Sequence, residues 1–246
     1  MFPWIIAHRG AMAEAPENTR SAFKKALTYP IDGIELDVQL SRDGVPVIYH
    51  DPSLKKINGT RKPVLAYPYQ ELSRMDWGGW FSPVFSGEPI LTLEDVLANY
   101  GGQTRLLIEI KTDGRFINQS GDQTLAHKAV DLVTTLIPSQ RIEKMMVLSF
   151  DPEIIFTAMR RAPNLTYALN LKTEKLPKRN WPVNPYAASL PIHKVSARFV
   201  AQCRSNGLEV MTYSCNTESQ VDKAIELGIG VIMTDDPGKI CLYMNR

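Results

Sequence analysis

Apolar and polar positions along this chain follow two periods that take turns. Short apolar runs recur at Trp4–Ala7, Gly33–Val38, Arg105–Ile110, Met145–Phe150, Thr166–Leu171, Ala187–Leu190, Glu209–Cys215 and Gly230–Met233, eight in all. Between them lie segments with the spacing of amphipathic helices: Asn18–Tyr29, Thr92–Tyr100, Gln123–Leu136, Pro152–Arg161, Ser196–Asn206 and Glu218–Leu227, with a turn after Pro237. Gly207 and Gly228 fall just past two helix ends, where a left-handed cap calls for glycine. Strands alternating with helices predict an α/β protein with a parallel sheet, and eight of them predict closure into a (β/α)8 TIM barrel. The sixth unit is the least regular, because residues 172–195 are rich in Lys and Pro.

One connection departs from this scheme. Only six residues separate Val38 from Val45, too few for a parallel crossover. Asp43-Gly44 is a tight-turn pair, so the segment predicts a β-hairpin. With Asp43 and Gly44 as the turn, Arg42 pairs with Val45, Leu40 with Val47 and Asp37 with His50. Residues 51–91 then form a small inserted subdomain between barrel strands 2 and 3. It holds Trp77, Trp80, Phe81 and Phe85 beside Gly78, Gly79 and Gly87. Its expected place is over the barrel mouth, within a single catalytic domain spanning 1–246.

The length of 246 residues and the 44% apolar content suit one large domain with a full core. A net charge of +2, with both signs interspersed, gives no reason to expect a nucleic-acid partner. Cys203, Cys215 and Cys241 lack metal-ligand spacing and read as buried free thiols. No apolar stretch is long enough for a membrane span. A cleaved leader would remove His8, so the expected compartment is the cytoplasm.

The chemistry lies where apolar runs end. In Ile34-Glu35-Leu36-Asp37-Val38 the apolar residues take one strand face and the acids the other, and Ile108-Glu109-Ile110-Lys111 repeats the pattern. The outer face of a barrel strand packs on helices, so the acids point inward or toward the mouth. Buried carboxylates need positive charge among them. A divalent cation assisted by Arg9 and Lys111 meets that need, and so does an inward salt-bridge network without metal. Carboxylates without cysteine favour a hard ion, Mg2+ or Ca2+. His8 and His50 each end a strand-like run, where barrel enzymes place their chemistry, and two imidazoles beside three acids point to proton transfer. His127 and His193 read as surface or packing residues. Asn18 or Thr19 reads as a helix cap. Gly114 and Gly121 flank a polar loop without a nucleotide-binding pattern, and there is no Gly-x-Ser-x-Gly elbow.

His8-Arg9-Gly10, Pro16-Glu17-Asn18-Thr19, Glu35-x-Asp37, Asp43-Gly44, His50-Asp51, Glu109-x-Lys111, Ser149-Phe150 and Thr234-Asp235-x-Pro237 together resemble the glycerophosphodiester phosphodiesterases, in order over almost the whole chain. The resemblance implies a metal-dependent barrel enzyme that cleaves a small-molecule glycerophosphodiester to an alcohol and glycerol 3-phosphate. It implies Glu35, Asp37 and Glu109 as ligands of one divalent cation, Mg2+ or Ca2+. It makes His8 and His50 the general base and general acid, with Arg9 and Lys111 on the phosphate oxygens. Glu17, Phe81, Ser149 and Tyr213 are candidate substrate-pocket residues. The chain departs from the family in having Tyr213-Ser214-Cys215-Asn216 for Trp-Thr-Val-Asn, Leu91 for a Pro, and Lys56-Ile57-Asn58 where Arg-Thr is common. Two other readings stand beside it. A phosphatidylinositol-type phospholipase C relative would cleave vesicles faster than soluble diesters, and a non-catalytic phosphate- or metal-binding barrel would turn over neither.

Overall fold

A computed structural model of the chain describes residues 3–112, 119–178 and 180–246, with side chains at all of these except 119–123. Its strands are β1 (Trp4–His8), β2 (Gly33–Leu40), β3 (Pro46–Ile48), β4 (Arg105–Ile110), β5 (Met145–Ser149), β6 (Thr166–Asn170), β7 (Ala187–Pro191), β8 (Glu209–Tyr213) and β9 (Val231–Thr234). They run in the order β1-β9-β8-β7-β6-β5-β4-β2-β3, and a further pairing of β1 with β2 closes the ring. Eight strands are parallel to their ring neighbours, and β3 pairs antiparallel to β2 outside the ring. The fold is a (β/α)8 TIM barrel.

The helices are α1 (Arg20–Ala26), α2 (Lys55–Asn58), α3 (Tyr69–Leu72), α4 (Leu93–Tyr100), α5 (Gln119–Leu136), α6 (Pro152–Arg161), α7 (Ala197–Ser205), α8 (Glu218–Glu226) and α9 (Pro237–Tyr243). Side chains of Thr19, Thr92, Asp151, Ser196, Thr217 and Asp236 accept amide protons at helix starts, supplying partners that the first turn lacks. Thr19, not Asn18, caps α1. Gly207 and Gly228 adopt φ of +71° and +66°, and the amides after them close onto Cys203 and Ala224. Helix α5 starts at Gln119, four residues before its apolar period begins. Gly114 lies outside the described residues. Between β6 and β7 no helix forms among the described residues, in keeping with the Lys- and Pro-rich composition there.

Two cores follow from the alternation. Outward residues such as Ile34, Leu36 and Val38 join the main core beneath the helices. Inward residues Ile6, Leu107, Met146, Leu148, Ala168, Met211 and Met233 fill the barrel. Two residues further along several strands the inward position turns polar: His8 follows Ile6, Glu109 follows Leu107, Asn170 follows Ala168, and Tyr213 follows Met211. The barrel is therefore plugged below and polar at the carboxyl ends of its strands. Among the described residues no helix is long and apolar enough to cross a membrane.

The hairpin register differs from the expected one by a single residue. Leu40 pairs with Pro46, Gln39 with Val47 and Val38 with Ile48. The loop has three residues: Gly44 takes φ +78° while Asp43 keeps negative φ, so a two-residue turn with two positive φ values does not form. Ser41 closes the loop, its amide donating to Val45 O at 3.0 Å and its hydroxyl accepting from Val45 N at 2.9 Å. Tyr49 N, one position past the ladder, donates to Asp37 O at 2.9 Å. His50 thus reaches the barrel mouth as the chain leaves β3, and not by pairing with Asp37.

Residues 51–91 have a small core of their own in which Leu54, Val64, Leu72, Trp77 and Ile90 join Val47 and Tyr49. The buried Trp77 ring packs edge-on to Tyr49 at 5.2 Å, and its Nε1 donates to Leu72 O at 2.8 Å. Ser21 of α1 anchors the insertion by donating to the Glu88 carboxylate through both its amide and its hydroxyl.

Candidate active site

Strand register places the acids side by side. Asp37 is the direct neighbour of Glu109, and His8 of Glu35. Oxygen atoms of Glu35, Asp37 and Glu109 lie within 4.8 Å of one another, and all three residues are buried. Around them, His8, Arg9, His50, Lys111, Asn170 and Tyr213 line a cavity of about 110 Å³, floored by Leu148 and Met233 and edged by Phe150.

The charges in this cluster are strongly coupled. Lys111 Nζ lies 2.6 Å from Glu109 Oε1 and 3.3 Å from Asp37 Oδ1, and Arg9 Nε lies 3.1 Å from Asp37 Oδ2. Burial disfavours the Asp37 anion, but Lys111 and Arg9, aided by both histidines, overcome it and hold the carboxyl well below its usual range. Glu35 moves the other way. Burial, and after it the repulsion of Asp37 and Glu109, raises its carboxyl well above the usual value against Arg9 and Lys111. Glu109 is raised as well, burial being the main cause. Lys111 and Arg9 stay firmly protonated: burial works against them, and neighbouring carboxylates, Asp37 foremost, outweigh it.

Glu35 Oε1 and Asn170 Oδ1 are buried acceptors without a hydrogen-bond donor, and Asp37 Oδ1 has only the Lys111 ammonium, at 3.3 Å. Orphaned oxygens cost free energy, and three buried carboxylates with oxygens this close together suit a hard divalent cation. When all three acids are ionised, as ligands of a cation must be, Arg9 and Lys111 leave one negative charge uncompensated. A divalent cation reverses that balance. The donor set fits the ion.

Each histidine is held by a carboxylate. His8 Nδ1 donates to Asp235 Oδ1 at 2.7 Å, and its Nε2 lies 3.8 Å from Glu35 Oε2. His50 Nδ1 donates to Asp51 Oδ1 at 2.9 Å. Both carboxyls are lowered: Asp51 to about 2, chiefly by the His50 hydrogen bond, and Asp235 by its contacts with His8 in spite of burial. Ionised carboxylates accept only, so each ring keeps its proton on Nδ1 and presents Nε2 as the working nitrogen. The acids have supports of their own. Asn18, at φ +60°, donates through Nδ2 to Asp37 Oδ2 at 2.8 Å and accepts Asp37 N at 3.3 Å. Asn170 Nδ2 donates to Glu109 Oε2 at 2.9 Å, and Arg9 N donates to Glu35 Oε2 at 3.1 Å.

His8, Arg9, Glu35, Asp37, His50, Glu109, Lys111 and Tyr213 therefore converge. Three of the candidate pocket residues do not line this cavity. Ser149 is fully buried, its hydroxyl donating to Ile110 O at 2.9 Å, and Phe150 is the one that edges the cavity. Phe81 stacks edge-on between Trp80 and Phe85 in the insertion. Glu17 sits behind Arg9, 3.4 Å from Nη1. His127 and His193 are exposed, and the three cysteines are buried free thiols. Sequence reading named Asn18, Asp235 and Lys56 without giving them a role in the site, and it passed over Asn170. For Asn18 the signal was present, since Asn tolerates positive φ, but a helix cap explained it equally well.

The glycerophosphoryl diester phosphodiesterase family matches residues 8–239 of the chain. A glycerophosphodiester phosphodiesterase of Caldanaerobacter subterraneus is 30% identical over 236 residues, covering 95% of this chain and 94% of its own. The crystal structure of a glycerophosphodiester phosphodiesterase from Agrobacterium tumefaciens is 27% identical with a TM-score of 0.75, covering 96% of this chain and 97% of that one. A phosphodiesterase of Oleispira antarctica, solved with the product sn-glycerol-3-phosphate, superposes with a TM-score of 0.86 at 24% identity, covering 100% and 98% of the two chains.

Proposed function

The chain belongs to the glycerophosphoryl diester phosphodiesterase family, and on that premise we propose that it hydrolyses small-molecule glycerophosphodiesters to an alcohol and sn-glycerol 3-phosphate. One observation carries the reading. Three buried carboxylates, two cationic side chains and two carboxylate-held imidazoles meet around a single cavity at the strand ends. A phosphate or metal binder would have no use for the paired proton carriers. Glu35, Asp37 and Glu109 hold the divalent cation, Mg2+ or Ca2+. Bound there, it supplies positive charge against the phosphoryl oxygens.

Arg9 and Lys111 orient the non-bridging oxygens and offset their charge as it grows in the transition state. His8 Nε2 takes the proton of the glycerol 2-hydroxyl, whose oxygen attacks phosphorus. The bond from phosphorus to the departing alcohol breaks, and His50 Nε2 gives that alcohol its proton. The product of this step is a cyclic glycerophosphate. In the second step His50 takes a proton from water, the resulting hydroxide opens the ring at phosphorus, and His8 returns its proton to the 2-oxygen. The net change is the addition of one water. Matching carboxylate supports on both rings suit this exchange of roles.

The test is incubation with glycerophosphocholine and measurement of glycerol 3-phosphate, before and after chelation. Activity that vanishes with chelator and returns with Mg2+ or Ca2+ supports the reading. Full activity after exhaustive chelation removes the cation from it. His8→Ala and His50→Ala should each lose about 10²–10⁴-fold in turnover. Folded variants with near-normal turnover would refute both assignments.

A further inference from the structure

The insertion sends one side chain toward the site. Lys56, on the short helix α2, places its ammonium 2.8 Å from Glu17 Oε1 and 3.1 Å from Asp51 Oδ2. Each of these carboxylates has a second partner that belongs to the chemistry. Glu17 lies 3.4 Å from Arg9 Nη1, and Asp51 holds His50 Nδ1 at 2.9 Å. Glu17, His50 and Asp51 by themselves offer donor atoms within 4.8 Å of one another, a grouping able to take a cation. The Lys56 ammonium lies against two of the three, so the chain supplies the cation from its own insertion.

Trp80 fixes the ammonium from a further side, with its ring centroid 4.6 Å from Nζ. The indole is itself held, Nε1 donating to Trp77 O at 2.9 Å beside the insertion's core. A line of contacts thus runs from that core through Trp80 and Lys56 to Asp51 and the His50 ring. Without the ammonium, Glu17 and Asp51 would face each other as like charges, and Asp51 Oδ2 would lose the cation that holds it.

We propose that Lys56, seated on Trp80 and bridging Glu17 to Asp51, is a positioning residue that holds His50 where it protonates the departing alcohol. The inference rests on the assignment of His50 as general acid made above. A positioned acid matters when the departing oxygen is a strong base and not when it is a weak one. Choline leaves as an unstable alkoxide unless it is protonated, whereas p-nitrophenolate leaves unaided.

The experiment compares kcat/KM for glycerophosphocholine with kcat/KM for the p-nitrophenyl ester of glycerol 3-phosphate, which reports the first bond cleavage. The variants are Lys56→Met, Lys56→Arg and Trp80→Leu, with His50→Ala as reference. Lys56→Met should lose about 10–100-fold on glycerophosphocholine, as loss of an orienting partner commonly does, with the p-nitrophenyl ester nearly unaffected. Trp80→Leu should show the same selectivity with a smaller loss, and Lys56→Arg should restore most of the rate. Equal losses of Lys56→Met on both substrates, with His50→Ala selective for glycerophosphocholine, would mean that Lys56 only supports local structure, and the proposal falls. A His50→Ala variant equally damaged on both substrates would instead overturn the acid assignment, and the proposal with it. The nitrophenyl ester also controls for folding, because an unfolded variant cleaves neither.

Discussion

Replacing Asp235 by Asn should be more harmful than replacing it by Ala, although Asn is nearly isosteric. Asp235 Oδ1 accepts from His8 Nδ1, and Oδ2 accepts from Asn216 Nδ2 at 2.6 Å. The orientation of Asn216 is fixed, since its Oδ1 already accepts from Thr234 Oγ1 at 3.1 Å and Asp235 N at 2.9 Å. An asparagine at 235 must therefore turn its carbonyl toward Asn216 and its NH₂ toward His8. That NH₂ needs an acceptor, so Nδ1 loses its proton and Nε2 gains one. The ring then faces the substrate in the tautomer that cannot act as base. The loss should approach the full value of general-base catalysis, about 10²–10⁴-fold, or about 3–5 kcal/mol of barrier. Asp235→Ala leaves the ring free to adopt either tautomer and should lose only about 10–100-fold. Glycerol 3-phosphate release from glycerophosphocholine at saturating cation gives both numbers. An Asn variant close to wild type, or an Ala variant worse than Asn, would refute the reasoning.

Three further outcomes follow from the geometry. Mg2+ or Ca2+ at about 100-fold over its Kd should stabilise the wild type by about 2.7 kcal/mol in thermal melts, and Glu35→Gln or Asp37→Asn should abolish the shift; an unchanged shift would place the ion elsewhere. At Gly10, φ is +83° and an added Cβ would lie 2.7 Å from the Ala22 carbonyl carbon. Gly10→Ala should therefore cost roughly 2–4 kcal/mol from backbone strain and overpacking together, and a melt within error of wild type would contradict this. The folded Asp51 carboxyl sits at about 2, below its ordinary 3.8, chiefly because of His50. Its contribution to stability is thus present above the ordinary value and lost as pH falls toward the lowered one. The melting difference between wild type and Asp51→Asn should be full near neutrality and shrink on acidification through that window; a difference that grows in acid would reverse the sign.

Much of this protein could be read before folding because its signals are local. Alternation in Gly33–Val38 and Arg105–Ile110 fixes which side chains share a face whatever the neighbours are, since successive residues of a strand point oppositely. That put Glu35, Asp37 and Glu109 on the inside and His8 at a strand end. The hairpin register failed because Asp43-Gly44 fits both two- and three-residue turns, and the Ser41 hydroxyl decides between them. Ser149 misled because its hydroxyl turns back to a neighbouring strand and not into the cavity.

The sequence alone determined the barrel, the inward acids and the two imidazoles, because hydrophobic period and strand-end position are properties of a few consecutive residues. The tertiary structure decided which partner fixes each of them. Asp235 reaches His8 across 227 positions of the chain, Asn170 reaches Glu109 across 61, and Lys56 reaches Glu17 across 39. Such pairings arise only when the barrel closes and the insertion packs on its own small core, so no local pattern encodes them.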